Sequence, residues 1–326
     1  MNERKDNKFK NPVVMLLNGR GDYLLNLPAL RAISQIFSGE FTLITKKGAH
    51  GIFFPELPAA RILEPDYTMS PAGPEFDALG LATAIGATDL FLSLNPWHTA
   101  SSDGLLRHLA AAQTVGFFSE FDVHLPLDFS KHSSELAFDI VSYLSSSLTL
   151  EEFYEMPVLA PRYCGLAQRI RNELPEGASL AVVHGDTKAE KRWGSSQFAE
   201  VMRWMLARDP NLFIFDLGLN SIDGNAFANE SRVIACRELV LPAAIALTGL
   251  ADIFIGVDSC FLHAADLYRV PGVGLFGPTS CHEFGFKFAR HRHVAAKAME
   301  EIMPTDVIHA IEDLLVETNL LHGSSR

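Results

Sequence analysis

Three polar turns, each following a run of apolar residues, hold the residue types that could handle a proton, a sugar hydroxyl or a phosphate. The first is Asn18-Gly19-Arg20-Gly21-Asp22, with Asp22 on a tight turn where a helical pattern begins. A helix N-terminus favours an ionised, well-positioned carboxylate. Asp22 therefore suits either a general base or a helix cap, and from spacing alone the cap is the plainer reading. The second is HGDTKAEKRWGSSQF, residues 184–198, where Thr187, Lys188, Lys191 and Arg192 offer hydroxyl and cationic donors fit for a diphosphate. A solvated loop is the plainer reading there, since lysine and arginine usually lie on the surface. The third joins Val257–His263 to Phe276–Thr279. Asp258 and Ser259 could hold sugar hydroxyls or cap a helix, and the helix N-terminus behind them suits a phosphate. His263 falls one turn into a partly apolar helix, where a structural imidazole is the plainer reading.

Other chemistries find less support. The first turn is neither GxGxxG nor GxxxxGK[ST], so the dinucleotide fingerprint and the P-loop both fail. There is no GxSxG nucleophile elbow. Cys260 with His263, and Cys281 with His282, put four soft ligands near one expected sheet edge, which could hold zinc or iron. Their spacing matches no standard finger, and no metal is expected. His291-Arg292-His293 reads as surface.

Those turns need strands and helices to position them. Val13–Leu17 reads as a buried strand, followed by a helix through Leu30, Ile33 and Ile36 with Pro28 near its start, then a strand at Phe41–Thr45. A proline-rich loop follows, then strands at Leu90–Leu94, which ends at Asn95-Pro96-Trp97-His98, and at Gln113–Phe117. A helix is expected over Ala137–Leu148. Residues 161–178 hold an amphipathic helix closed by Pro175 and Gly177, and read as a linker region. A second series opens with a strand at Leu180–Val183, a helix at Ser196–Ala207 and a strand at Leu212–Asp216. The stretch 239–279 then reads as helix, strand, turn, helix, strand, with Ile253–Val257, Phe261–Tyr268 and Val273–Phe276 as its βαβ unit. A last amphipathic helix covers Thr305–Leu321. Each half alternates β and α, so the fold class is α/β, two doubly wound sheets. Ligands of such sheets bind at strand carboxyl ends, where all three turns fall.

Composition agrees. The 326 residues are 48% apolar and 20% charged, ordinary for globular domains and long enough for two. A formal net charge of −12 argues against nucleic acid or an anionic membrane surface as the main partner. The 4 cysteines form no CxxC pair or disulfide pattern. The polar start, MNERKDNKFKNP, lacks the apolar core of a signal peptide, and no tract is long enough to span a bilayer. The expectation is a cytoplasmic protein with at most peripheral contact at the inner membrane.

Taken together, GDYLLNLPALRAI (21–33), KRWGSSQFAEVM (191–202) and LADIFIGVDSCFLHAADLYRVPGVGLFGPT (250–279) resemble glycosyltransferase family 9, the ADP-heptose:lipopolysaccharide heptosyltransferase-like enzymes. Order and spacing agree over most of the chain, and the last stretch is the most specific. The resemblance implies a GT-B architecture of two Rossmann-like domains facing across a cleft. Residues 1–160 would bind the acceptor, with Gly21, Arg61, Asn95 and His98 on that side, and residues 179–304 would bind the nucleotide sugar. The C-terminal helix, 305–321, would pack back on the first domain. Asp22 falls on the family's catalytic aspartate and Lys191 on its phosphate-binding lysine. Thr187 corresponds in place to a hydroxyl residue on the diphosphate, with Lys188 beside it. Asp258 and His263 match the donor-sugar turn, and the chain at Ser259, Cys260, Phe261 and Leu262 would present backbone N–H groups to the phosphates. Cys260 stands where the family usually carries glycine.

The implied activity is inverting, metal-independent transfer of a heptose or related sugar, in lipopolysaccharide biosynthesis or a similar pathway. The donor is a nucleoside-diphosphate sugar, ADP-linked, acting as co-substrate with no further cofactor. The acceptor is a glycan or a small molecule. Asp22 would take the proton of the attacking hydroxyl. Lys191, Thr187 and the helix N-terminus would stabilise the departing diphosphate. Two alternatives stay open: a different nucleotide sugar used on a small natural-product or non-lipopolysaccharide acceptor, and a non-catalytic sugar-nucleotide binder. A nicotinamide dehydrogenase is disfavoured by the missing glycine fingerprint. Oligomeric state, acceptor and base identity do not follow from the sequence.

Overall fold

The computed structural model describes residues 9–218 and 226–318. The chain divides into two compact units on either side of Val158 and Leu159.

The first unit holds eight strands among its described residues: β1 (Pro12–Leu16), β2 (Thr42–Thr45), β3 (Arg61–Leu63), β4 (Tyr67–Ser70), β5 (Gly73–Phe76), β6 (Leu90–Ser93), β7 (Thr114–Gly116) and β8 (Val123–His124). Its helices are α1 (Arg20–Leu25), α2 (Leu27–Ile36), α3 (Ala49–Phe53), α4 (Ala78–Ile85), α5 (Ala100–His108) and α6 (Ser133–Leu144). Six strands form a parallel sheet in the order β3-β2-β1-β6-β7-β8. β1 and β6 read as continuous apolar runs because helices cover both faces. Val13, Met15, Leu17 and Phe91 pack with Leu105 of α5 and Phe121.

Three local features depart from the sequence expectation. The helix after β1 is two helices, because Pro28 lacks the N–H that would continue α1, and Asn26 ends one and precedes the next. The proline-rich stretch contains edge strand β3 and the antiparallel hairpin β4–β5, whose turn uses Gly73 at φ +135°. Helix α6 begins four residues early. There, the His132 Nδ1 accepts from the Ser134 N–H at 3.3 Å and the Glu135 carboxylate accepts from the His132 N–H at 3.0 Å.

In the second unit, the strands are β9 (Ser179–His184), β10 (Leu212–Leu217), β11 (Val233–Ala235), β12 (Ile253–Val257), β13 (Gly272–Phe276) and β14 (His291–Ala295). Its helices are α7 (Pro161–Asn172), α8 (Ser195–Arg208), α9 (Leu241–Thr248), α10 (Cys260–Leu267), α11 (Cys281–Phe284) and α12 (Pro304–Thr318). The sheet repeats the first topology: β11-β10-β9-β12-β13-β14, all parallel.

Two segments near the expected domain borders pack within the second unit. Residues 161–178 are not a free linker. Helix α7 packs on α9, and the Arg171 guanidinium donates to the Ala178 carbonyl at 2.6 Å. Helix α12 belongs to the second unit. Its apolar face, Val307, Ile311 and Leu314, is buried against α8, β13 and β14, so it closes that unit's own core. Residues 319–321 of the expected last helix lie outside the described residues.

Candidate active site

Both sheets reverse their strand order once, between β1 and β6 in the first unit and between β9 and β12 in the second. Crevices for ligands open at the carboxyl ends of such neighbouring strands, because the chains leave them in opposite directions. Asn18–Asp22 follows β1, Asn95–His98 follows β6, residues 185–192 follow β9, and Asp258–His263 follows β12. The topology therefore gathers nearly every sequence-predicted residue at one of two switch points.

At the β9–β12 switch point, the Lys191 ammonium donates to Oδ2 of Asp258 at 2.6 Å. Asp258 is buried, with its side chain 6% exposed, whereas Lys191 keeps 24%. Nε2 of His263 lies 3.6 Å from the other oxygen, Oδ1. One buried carboxylate thus stands between a lysine and a histidine at the start of α10.

Ser259 is the residue before α10, in extended backbone, and its side chain makes no cap bond. Its Oγ is buried with no hydrogen-bond partner among the described residues. The first backbone bond of the helix runs from the His263 N–H to the Ser259 carbonyl. The N–H groups of Phe261 and Leu262 come before that first bond, at the end of a helix that usually binds anions. Leu262 is fully buried and Phe261 nearly so, its ring edge-on to His184 at 4.5 Å. Only their backbones remain for a ligand.

The loop after β9 is held together locally. The Arg192 Nε donates to the Thr187 carbonyl at 2.8 Å, and its guanidinium lies 3.7 Å from Asp186. Lys188 is exposed, and its carbonyl receives the Lys191 N–H. The helix after it starts at Ser195, so Gly194 is the cap position, and Gln197 Oε1 accepts its N–H at 3.2 Å. Trp193 anchors the loop: its indole donates to the Ile302 carbonyl at 3.0 Å.

In the first unit, Asp22 occupies the third position of α1, and its Oδ2 accepts from the Gly19 N–H at 3.0 Å. The carboxylate therefore does serve the helix end, and it is half-buried beside Gly21. Asn95 is buried and structural: its Oδ1 accepts from the Leu17 N–H at 2.9 Å, which ties the end of β6 to the end of β1. The Nε2–H of His98 donates to Asp103 Oδ1 at 2.6 Å. Arg61 is misplaced as an acceptor residue. It pairs in register with Thr42, the first residue of β2, at the amino edge of the sheet, opposite to the Asp22 turn. Strand direction decides this, and a lone arginine in a proline-rich stretch carries no sign of it.

Several residues that matter here were not singled out from the sequence. His184 ends β9, fully buried. Its Nδ1–H donates to the Leu217 carbonyl at 2.7 Å, and burial pushes its imidazole below the ordinary range. Glu283 on α11 has its carboxyl pushed up by burial and then by the charge of nearby Asp258. Asp266, on α10, accepts the N–H groups of Lys287, Phe288 and Ala289 and so pins the chain leading into β14. A hydrophobic period marks Asp266 as an oddity on a buried helix face, but nothing in spacing names its partners. The soft-ligand set weighed from sequence is not assembled. Among the described residues, His98, Asp103 and Glu120 are the group whose ligand atoms converge.

Two parallel six-stranded sheets with these switch-point sites define a GT-B glycosyltransferase fold. The chain matches glycosyltransferase family 9 (heptosyltransferase) over residues 105–311 and belongs to that family. No curated protein matches the sequence. Among solved structures, the chain is similar to a family 9 glycosyl transferase from Veillonella parvula. That match has 19% identity and a TM-score of 0.76, covering 94% of this chain and 97% of that one. It is also similar to E. coli heptosyltransferase WaaC with ADP, at 15% identity and a TM-score of 0.67, covering 93% and 99%. E. coli ADP-heptose lps heptosyltransferase II matches at 13% identity and a TM-score of 0.69, covering 95% and 99%. The protein is a glycosyltransferase, and no described helix is long and apolar enough to cross a membrane.

Proposed function

We propose that the protein transfers a heptose or a closely related sugar from an ADP-linked donor to the hydroxyl of a glycan or small-molecule acceptor, with inversion. The observation that carries this reading is the Lys191–Asp258 pair at the uncapped start of α10. A cation, a buried hydroxyl and the backbone N–H groups of a helix start lie together at one strand end. That set suits the two negative phosphates of a leaving nucleoside diphosphate. ADP is favoured because the E. coli relative WaaC was solved with it.

In this reading the second unit holds the donor. Ser259 Oγ and the N–H groups of residues 260–262 bind the diphosphate. Lys191 turns from Asp258 toward the phosphates as charge builds on them, and the Thr187 hydroxyl adds a further donor. Asp22 of the first unit acts as general base, taking the acceptor proton as oxygen attacks the anomeric carbon. The bond to the diphosphate breaks as the new glycosidic bond forms, and no metal takes part in the transfer.

A thermal-shift panel of ADP, GDP, UDP, CDP and ADP-heptose, with NAD as control, tests it. A selective rise with ADP and ADP-heptose, lost in Lys191→Ala, is the expected result. Saturation at about a hundred times Kd adds about 2.7 kcal/mol, readily seen. A response to another base would overturn the ADP assignment, and no response to any would overturn the donor site.

A further inference from the structure

We propose that His98, Asp103 and Glu120 form a binding site for one first-row divalent cation, Zn2+ or Mn2+, at the carboxyl edge of the first unit's sheet. Nothing in the transfer reading requires it, and it stands or falls separately.

The three residues come from three different segments. His98 lies on the chain leaving β6, Asp103 on the first turn of α5, and Glu120 between β7 and β8. Nε2 of His98 is 2.6 Å from Oδ1 of Asp103 and 4.0 Å from Oε2 of Glu120, and all three atoms lie within 4.8 Å of one another. A cation with metal–ligand bonds near 2.1 Å separates tetrahedral ligands by about 3.4 Å. The observed spacings bracket that value, so shifts of under about an ångström would close the shell.

The imidazole is already held in place. Its ring stacks on Phe118 at 5.0 Å and meets the edge of Phe121 at 6.1 Å, leaving the side chain 12% exposed. The carboxylates are more open, at 37% and 44%, which leaves a path for an ion from solvent. Asp103 is fixed by a well-formed helix start, where Thr99 Oγ1 caps the Ser102 N–H. Glu120 accepts from the Ser119 hydroxyl at 3.1 Å.

Charge argues the same way. Neither Asp103 nor Glu120 has a lysine or arginine partner among the described residues, and each has His98 as its ion-pair neighbour. Two carboxylates within 4.8 Å repel one another, and no lysine or arginine among the described residues lies in ion-pair range to offset them. A divalent cation neutralises both at once. One nitrogen and two oxygens suit borderline Zn2+, and Mn2+ where an imidazole joins its carboxylates, better than Mg2+ or Ca2+, which prefer all-oxygen shells. The ion would clasp the β6 turn, α5 and the β7–β8 segment together, with β6 beside β1, the strand that leads into the helix of Asp22.

The test uses the full chain, stripped with EDTA and titrated with ZnCl2 and MnCl2, with CaCl2 as control, by calorimetry and thermal unfolding. One equivalent of Zn2+ or Mn2+ should bind and raise Tm by roughly 5 °C or more at saturation. Glu120→Gln, on the exposed rim, should weaken binding at least tenfold while leaving the metal-free Tm unchanged, and Asp103→Asn should weaken it further. Binding that survives in the triple variant His98→Gln, Asp103→Asn, Glu120→Gln would overturn the assignment, as would calcium binding as tight as zinc. So would absence of binding by the wild-type chain.

Discussion

The ammonium of Lys191 and the carboxylate of Asp258, 67 residues apart in the chain, meet at 2.6 Å because β9 and β12 are neighbours in the sheet. The carboxylate is the more deeply buried partner, so its charge depends on Lys191 for compensation. Lys191→Ala should lower stability by roughly 1–2 kcal/mol, less than for a fully buried pair because the lysine is partly solvated. Adding Asp258→Asn should recover most of that loss, while nucleotide binding stays at least tenfold weakened. Thermal unfolding and nucleotide titration of the two single variants and the double variant form the cycle. If nucleotide affinity returns with stability in the double variant, Lys191 is a structural counter-ion and not a phosphate ligand.

Asp22 serves the end of α1 and is also the proposed base, and the two roles separate by substitution. Asparagine keeps an oxygen for the Gly19 N–H, so Asp22→Asn should change stability by under about 1 kcal/mol. It cannot take a proton, and transfer should fall by about 10^2 to 10^4. Asp22→Ala should lose the cap as well, at about 1 kcal/mol. Matched loss of stability and activity in Asp22→Asn would make the residue a cap alone.

His184 predicts an acid-sensitive component of stability. Burial pushes its imidazole below the ordinary value of 6.5, against a smaller upward pull from the Leu217 carbonyl and Asp186. The unfolded chain takes up this proton near pH 6.5, whereas the folded chain resists it. Stability from the neutral ring is therefore complete above about pH 6.5 and declines as pH falls below it. Between about pH 7 and 5, Tm should fall less for His184→Gln than for the wild type. Parallel curves would show that other groups control acid unfolding.

Asp266 holds three consecutive N–H groups at 3.1, 2.8 and 2.8 Å from a position 2% exposed. Removing the acceptor strands three donors, so Asp266→Ala should cost about 3 kcal/mol or more. Amide exchange at residues 287–289 should accelerate before the rest of the second unit opens. Asp266→Asn, which keeps the shape but not the charge, should fall between the two. Uniform acceleration across the unit would mean that the loss is global.

Much of this fold was legible because it is local. Val13–Leu17, Leu212–Phe215 and Ile253–Val257 are runs without a polar residue, and a parallel strand covered on both faces must read that way. The turns carrying Asp22, Lys191 and Asp258 were visible because glycine and polar residues break those runs at the strand ends. The hairpin at Tyr67–Phe76 was not legible, since its exposed, proline-bearing strands lack the alternation that marks a half-buried strand. Sequence alone thus determined the buried central strands and marked the polar turns that end them. It also placed Lys191 and Asp258 in the same half of the chain. Tertiary structure decided who meets whom. Strand order brought Lys191 to Asp258, and strand direction sent Arg61 to the wrong edge of its sheet. The packing of α12 placed its apolar stripe on α8 and β14. The reason is physical: periodicity records how each segment buries its own face, whereas pairing and order follow from a competition among all faces at once, which no single segment encodes.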